Sequence, residues 1–558
     1  MVHVRRGLAA PLSFLALLGA AYGSVAASPA IWAGALVSLM AAAWLTPGSS
    51  TPGPIGVLVL LFAGWIALTN AFLNPAYSAA APYHAAFLAG GFFLGRRAGA
   101  EGAGQLYGVA LLCVAVLAAW ALWQKTRGVV RPSAMLETPA TLAACLNLIL
   151  VPGLALILAG KRNPWLLGGL IVVAAGLVVT LSRGGWLAFL AGLLVAGVLL
   201  RRARLGMRAA DLRAAAAVAL AAVLLAFAAS LISGSGGSAA GSADAFSVLG
   251  PEAVRSSVAR LEMYTLALQS LAPPLLLTGY GYLGFHYVLE AGRHAVASYE
   301  HGVSYFVHND YLQVLLELGA PGLVGLVLIV AWPIVAASRS ASRQGEPDVL
   351  PLAAAAAAGA MAVHALFDFP FYVPVCLLLY GAALGMIERP QAAVSFPAPT
   401  RNVVRFSAHA VLVGLAAWLL GAPLLADLAA SQAHAQWKRG ATEQAAYWFE
   451  VARRLERRDA RHHWQAGQFW LVQALQNRHP EAARRADAAF ADGFAANPRD
   501  VRNLLGRIET QRSLAGVLPA PVDAATLMAW SDRAMALAPS DPAVRHLRGT
   551  RPGAGDRR

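Results

Sequence analysis

Apolar residues dominate this chain in one long run after another from residue 8 to about 426, with short polar turns between the runs. A hydrocarbon core of ~30 Å needs about 20 apolar residues per helix. On that measure the pattern predicts spans at 8–26, 30–46, 54–73, 79–95, 105–124, 139–159, 164–181, 185–200, 212–232, 320–338, 351–368, 371–387 and 406–426. The expected fold is an all-α, polytopic bundle of about thirteen spans. The pattern breaks first at 233–319. That segment opens with Ser233–Ser242 (SGSGGSAAGS), a flexible linker by composition. Val254, Val258, Leu261, Thr265 and Leu268 then recur at helical spacing, predicting an amphipathic helix that ends at Pro273-Pro274. Thr278–Phe285 (TGYGYLGF) is a glycine-rich turn, and a second amphipathic helix is expected from about His308 to Leu318, before Pro321 opens the next span.

The second break follows Asp427, where the composition becomes charged. Ala-rich helical stretches, Ala482–Ala495 and Ala525–Leu537, end in Asn497-Pro498-Arg499-Asp500 and Pro539-Ser540-Asp541-Pro542. They resemble degenerate tetratricopeptide helix pairs; an α-helical domain of no repeat class is the alternative. The expected layout is therefore 1–232 as N-terminal spans, 233–319 as a large loop, 320–426 as C-terminal spans, and 427–558 as a soluble helical domain. Residues 1–30 mimic a secretory signal, with Arg5, Arg6 and small residues at Ser24–Ala27. A new apolar run begins near Ala30, so an uncleaved first span is expected.

Composition supports a membrane protein. The 558 residues are 58% hydrophobic and 13% charged, and soluble chains carry roughly 25% charged residues. The net charge of +15 does not point to nucleic acid, because Lys and Arg sit in short inter-span loops or near the C-terminus without aromatic interleaving. Their placement instead gives an orientation. With a cytoplasmic N-terminus, the cytoplasmic loops hold Arg96/Arg97, Lys161/Arg162, Arg201/Arg202/Arg204/Arg208/Arg213, Arg339/Arg343 and Arg389/Arg401/Arg405. The long loop and the C-terminal domain then face the periplasm. Lys125, Arg127, Arg131, Arg183, Arg255, Arg260 and Arg293 fall on that outer side. Arg183, in a short turn, runs against the topogenic bias. Cys113, Cys145 and Cys376 lie inside apolar runs and read as small buried hydrophobes.

The leading candidate for chemistry is Val307-His308-Asn309-Asp310-Tyr311-Leu312-Gln313, followed by Glu317-Leu318-Gly319. His308 is expected at a helix amino terminus, which favours the neutral imidazole that a general base requires, with Asp310 in the first turn. The same end attracts phosphate oxygens. A histidine that merely caps an interfacial helix is the competing reading. Arg183, in Leu181-Ser182-Arg183-Gly184-Gly185-Trp186, could grip phosphate bidentately or snorkel to headgroups. Arg260, on the amphipathic helix, either faces phosphate or is solvated. His364 and Asp368 stand at i,i+4 spacing, as a functional site or as a structural pair between helices. No Asp-x-Asp pair, His-Glu-x-x-His or Walker loop occurs, so no metal, nucleotide-sugar or ATP site is indicated, and no cofactor is expected.

Taken in order, the LSRGGW turn, Arg260 followed by Pro-Leu and Gly-Tyr-Gly-x-x-x-Phe285, the HNDYLQxxxELG helix, and His364…Asp368-Phe-Pro resemble the O-antigen ligase/polymerase superfamily. This superfamily includes bacterial protein O-oligosaccharyltransferases, and the resemblance spans roughly residues 105–390. Arg131-Pro132 through Glu137-Thr138-Pro139-Ala140 looks like the family's Pro-Asn segment, with Ala140 standing where Asn is usual, and it receives no role. The resemblance implies a glycan on undecaprenyl diphosphate as donor and an inner-membrane enzyme with a periplasmic site. It also implies Arg183 and Arg260 on the diphosphate and His308 as base on an acceptor hydroxyl. Asn309, Asp310, His364 and Asp368 are read as supporting groups.

Lipid, glycan and protein acceptors all fit one such site. Ligation or polymerisation is ranked ahead of protein glycosylation, and the C-terminal helices are a candidate surface for a periplasmic protein partner. A non-enzymatic transporter is the rival from another class. Transporters favour internal repeats and charges at mid-membrane, whereas here the candidate residues gather at one face.

Overall fold

The computed structural model describes residues 2–26, 28–46, 52–74, 78–232, 251–292, 296, 304–342, 348–388 and 419–549. Among them the chain is helical throughout, with no strand. The expected linker at 233–242, Arg293, Arg343, Arg389, Arg401, Arg405 and the first part of the expected last span lie outside the described residues.

Eight helices precede the long loop: α1 (Val2–Ala26), α2 (Pro29–Leu45), α3 (Pro54–Leu68), α4 (Ala80–Thr126), α5 (Pro139–Leu158), α6 (Pro164–Thr180), α7 (Arg183–Arg202) and α8 (Ala209–Ile232). Proline at the first helical position starts α2, α3, α5 and α6, where its missing N–H costs nothing. Side-chain oxygens of Thr138, Asn163 and Ser182 cap α5, α6 and α7. The loop contributes α9 (Pro251–Gln269), the single turn α10 (Leu275–Thr278) and α11 (Phe285–Ala291). Then come α12 (Asp310–Ala341), α13 (Val349–His364) and α14 (Pro374–Ile387). Among the described residues, six helical segments are long and apolar enough to cross a membrane: Pro54–Leu73, Gly102–Thr126, Pro139–Leu158, Arg183–Arg202, Ala209–Ile232 and Asp310–Ala341. Five shorter apolar helices accompany them, at Leu8–Gly23, Pro29–Leu45, Pro164–Thr180, Val349–His364 and Pro374–Ile387.

Two expected pairs of elements are fused. The runs at 79–95 and 105–124 form the single helix α4, interrupted where Gly99 leaves helical geometry at φ 58°. The second amphipathic helix and the tenth span likewise form the single helix α12, broken at Gly319 (φ 71°). There the main chain passes so close to the 275–278 turn that a Cβ on Gly319 would meet the Leu277 carbonyl oxygen at 2.5 Å. The break leaves helix-end carbonyls without helical partners. The glycine-rich turn supplies donors: Tyr280 N–H to the Leu316 oxygen at 2.8 Å and Gly281 N–H to the Glu317 oxygen at 3.0 Å. The Trp65 indole serves the Leu318 oxygen at 2.8 Å.

Helices α4 and α14 cross at their backbones through reciprocal small-residue pairs. Gly91 and Gly95 lie against the Leu378 and Ala382 carbonyls, while Gly381 and Gly385 lie against those of Leu88 and Phe92. A Cβ at any of the four would overlap a main-chain oxygen. Lipid gives no hydrophobic drive for helix association, and such close approach maximises dispersion contact instead. Several of the inter-span arginines are tied down. Arg96 is buried, bonded to the Glu388 carbonyl and 3.7 Å from its carboxylate, which also accepts from Ile55 N–H at 2.9 Å. Arg162 pairs with buried Asp211 at 3.2 Å.

The amphipathic helix expected before Pro273-Pro274 is α9. The helix forms, but Val254, Val258, Leu261, Thr265 and Leu268 are exposed. Ala259, Met263, Leu266 and Ala267 are its buried residues, packed with Phe285, Val288, Leu289 and Leu316. Periodicity located a stripe; the face that the loop covers is the neighbouring one.

The C-terminal region contains a helix over 419–438, here α15, then α16 (Thr442–Leu455), α17 (Ala460–Asn477), α18 (Pro480–Ala496), α19 (Val501–Ser513), α20 (Ala524–Leu537) and α21 (Pro542–Gly549). Phe449, Phe469 and Phe490 are its largest buried side chains. Asp459 and Asp500 cap α17 and α19 inside matching segments, Arg458-Asp459-Ala460-Arg461 and Arg499-Asp500-Val501-Arg502. These turns face the long loop. Asn497 donates to the Tyr287 hydroxyl at 2.8 Å, and Arg499 donates to the Tyr280 carbonyl at 2.8 Å while lying 4.2 Å from the Tyr280 ring centroid.

Candidate active site

The site is built where the start of α12 meets the turn after α13. Asn309 caps α12, its side-chain oxygen accepting from Leu312 N–H at 3.1 Å. Gln313 folds the preceding strand of chain back onto the helix, accepting from Val307 N–H at 2.9 Å and donating to the Tyr305 carbonyl at 3.1 Å. Between them His308 is forced to φ +61°, a left-handed conformation that costs a non-glycine residue about 1–3 kcal/mol. It therefore lies just outside the helix rather than in its first turn.

Buried Asp310 fastens this segment to the second one. Its N–H donates to the Ala365 carbonyl at 2.8 Å, and its carboxylate accepts from Phe371 N–H at 2.9 Å. The Tyr311 hydroxyl adds a bond to the Ala362 carbonyl at 2.9 Å. Glu317, also buried, accepts from Leu283 N–H (2.9 Å), Phe285 N–H (3.1 Å) and the Tyr372 hydroxyl (2.7 Å), so it holds the glycine-rich turn to the same frame.

This frame delivers Asp368 to His308. The imidazole Nδ1 lies 3.1 Å from the Asp368 carboxylate, which is buried while the ring keeps about a fifth of its surface open. A carboxylate only accepts, so in a neutral ring Nδ1 carries the proton and Nε2 keeps its lone pair. His364, the partner at i,i+4 spacing, lies farther from the carboxylate, at 3.9 Å from its other oxygen. Phe306 stacks on Phe369 at 3.7 Å, and Phe369 stands edge-on to the His308 ring at 5.3 Å.

The two arginines sit on the elements around this centre. Arg183 is exposed in the first turn of α7, directly after the Ser182 cap. The next residue, Gly184, packs on Phe367, the neighbour of Asp368: a Cβ there would lie 3.1 Å from that of Phe367. Arg260 is half-buried on α9, one turn before Tyr264, whose hydroxyl donates to the His308 carbonyl at 2.9 Å. Tyr264 senses the charges of both Arg260 and Asp368. Among the described residues neither Arg183 nor Arg260 has an ion-pair partner.

Two groups received no role from the sequence. Tyr264 follows Arg260 at i,i+4, a spacing that could have flagged it. Glu137 has no such signal. It sits in the turn before α5, where burial first and the negative charge of Asp368 second push its carboxyl up to about 7.

Residues 168–327, from α6 through the first half of α12, match the family model described as O-antigen ligase. That match supports the O-antigen ligase superfamily for the segment it covers. At the level of that family the match supports a membrane glycosyltransferase of the ligase or polymerase type, and the family implies a lipid-linked glycan donor. The O-antigen ligase segment holds Arg183, Arg260, His308, Asn309 and Asp310. His364, Asp368 and the C-terminal helices lie beyond it. No curated protein matches the chain as a relative.

Proposed function

We propose that the protein transfers or polymerises a glycan from undecaprenyl diphosphate to an acceptor hydroxyl at the periplasmic face of the bacterial inner membrane. In this reading His308 Nε2 takes the hydroxyl proton while the acceptor oxygen attacks the anomeric carbon. The bond from that carbon to the phosphate oxygen breaks, its electron pair leaves on the diphosphate, and the centre inverts. Asp368 fixes the ring and stabilises the imidazolium that forms. Arg183 and Arg260 neutralise the leaving diphosphate, the task a metal performs elsewhere, so transfer proceeds without one. Asn309, Asp310 and His364 position the two segments. The reading includes residues 427–558 as a tetratricopeptide-like unit outside the membrane.

The observation that carries this proposal is the His308–Asp368 contact at 3.1 Å, with Arg260 one turn from Tyr264, whose hydroxyl bonds the His308 carbonyl. The test is transfer from native lipid-linked glycan by the full chain in proteoliposomes. His308→Ala is expected to lower the rate by ~10²–10⁴-fold. Full activity in that variant, or labelling of residue 308 from the cytoplasmic side, would end the proposal.

A further inference from the structure

A cavity of about 320 Å³ lies between the C-terminal helices and the loop that carries the site. Its volume falls in the ~300–1,000 Å³ range of small-ligand sites. On the loop side it is lined by His286, Tyr287, Tyr305 and Phe306, with Glu137 beside them. On the other side are Asp459, Arg461, Asn497, Asp500 and Arg502, the residues of the two matching helix-cap turns. One lining residue links the cavity to the candidate site: Phe306 stacks on Phe369, whose edge meets the His308 ring.

The lining has a definite chemistry. The His286 ring lies 3.6 Å from that of Tyr287 and 4.6 Å from that of Tyr305, centroid to centroid, so aromatic faces cluster on one wall. Burial pushes His286 down to about 4, and as a neutral ring it donates from Nδ1 to the Leu283 carbonyl at 2.7 Å. On the opposite wall each guanidinium is already answered by its own buried carboxylate: Arg461 to Asp459 at 3.0 Å and Arg502 to Asp500 at 2.6 Å. Such neutralised pairs have little excess charge for a phosphate. They offer fixed donors and acceptors side by side, which suits neighbouring hydroxyls, while tyrosine faces suit the C–H faces of a pyranose.

We infer that this cavity is an oligosaccharide subsite, and that the C-terminal helices form one wall of the substrate site rather than an appendage. The inference rests on the proposed glycan transfer. The sugars could belong to the donor or to the acceptor, since both present the same polyhydroxyl chemistry.

The test uses the full chain in nanodiscs with two probes. One is the oligosaccharide released by mild acid from the host's lipid-linked glycan, and the other is the core oligosaccharide released from its lipopolysaccharide. Wild type is expected to bind one of them by calorimetry, which assigns the subsite to donor or acceptor. Tyr305→Ala and Arg502→Gln, checked for an unchanged unfolding midpoint, are expected to weaken that binding about ten-fold. They should raise KM for the corresponding substrate with little change in kcat. His308→Ala should bind normally. Binding of neither sugar, unchanged affinity in both variants, or binding of a serine-rich acceptor peptide in place of sugar would overturn the inference. Transfer with unaltered KM in both variants would sink the subsite alone. Sugar binding that responds to the variants in a protein without transfer activity would uphold the subsite and remove the transferase reading.

Discussion

Arginines at two places in this molecule live under opposite rules. Arg96, inside α4 just before its Gly99 interruption, and Arg162, in the turn before α6, each meet a buried carboxylate, Glu388 and Asp211. Arg183 and Arg260, on elements that pack around the His308 site, meet none among the described residues. The first pair joins helix ends and is satisfied within the protein. In the proposed function the second keeps guanidinium charge available for the leaving diphosphate. A charge left without a partner near low-dielectric surroundings is costly unless a ligand supplies the counter-charge. In the proposed function the contrast separates arginines that hold the bundle from arginines held ready for an anion.

The largest expected effect sharpens the structural half of this contrast. Arg96→Met strands the Glu388 carboxylate and should lower stability by about 3–5 kcal/mol, read as resistance to detergent unfolding, with transfer by the folded fraction unchanged. Arg183→Ala and Arg260→Ala should behave in the opposite way: transfer falls ~10²–10³-fold each, while the unfolding transition stays in place. If either destabilised the protein as Arg96→Met does, the division would collapse. Arg183→Lys should recover only part of the loss, because an ammonium cannot make the bidentate contact. Next in size is Gly319→Ala. Its positive φ costs an L-residue about 1–2 kcal/mol, and the Leu277 carbonyl leaves no room for the methyl. The expected readout is a lower unfolding midpoint together with weaker transfer, since the kink places His308.

The smallest effect concerns acid. Burial alone would raise the Asp459 carboxyl, but Arg461 and His462 beside it outweigh that and hold it well below the usual carboxylate range. A depressed carboxyl contributes stability above its unfolded value near ~4, and this is lost as pH falls through the folded value. The C-terminal helices should therefore loosen in strong acid. Amide exchange in 459–513 is the measurement, and Asp459→Asn should remove the dependence.

The sequence went a long way toward the fold. Long apolar runs, proline starts and side-chain caps are local signals, and the helices stand close to where those signals lie. Local signals failed where neighbours decide. The exposed stripe of α9 carries the helical period as clearly as the buried one does, so periodicity could not choose which face the loop would cover. Nor could it tell that Gly319 would join two expected elements through a kink whose carbonyls are served by the 280–281 turn and Trp65.

For the candidate site, the sequence by itself determined the cast: a histidine before a capped helix, arginines in two separate elements, an Asp and a His one turn apart. These follow from residue type and short spacing. Only the tertiary structure decided the pairings. Asp368 lies nearest His308, sixty positions away, because Asp310 bolts the two segments together through main-chain bonds. It also set the C-terminal turns against the loop, with a cavity between them. Spacing along a chain fixes which side chains share a helix face, whereas contacts between elements depend on packing that no single segment encodes.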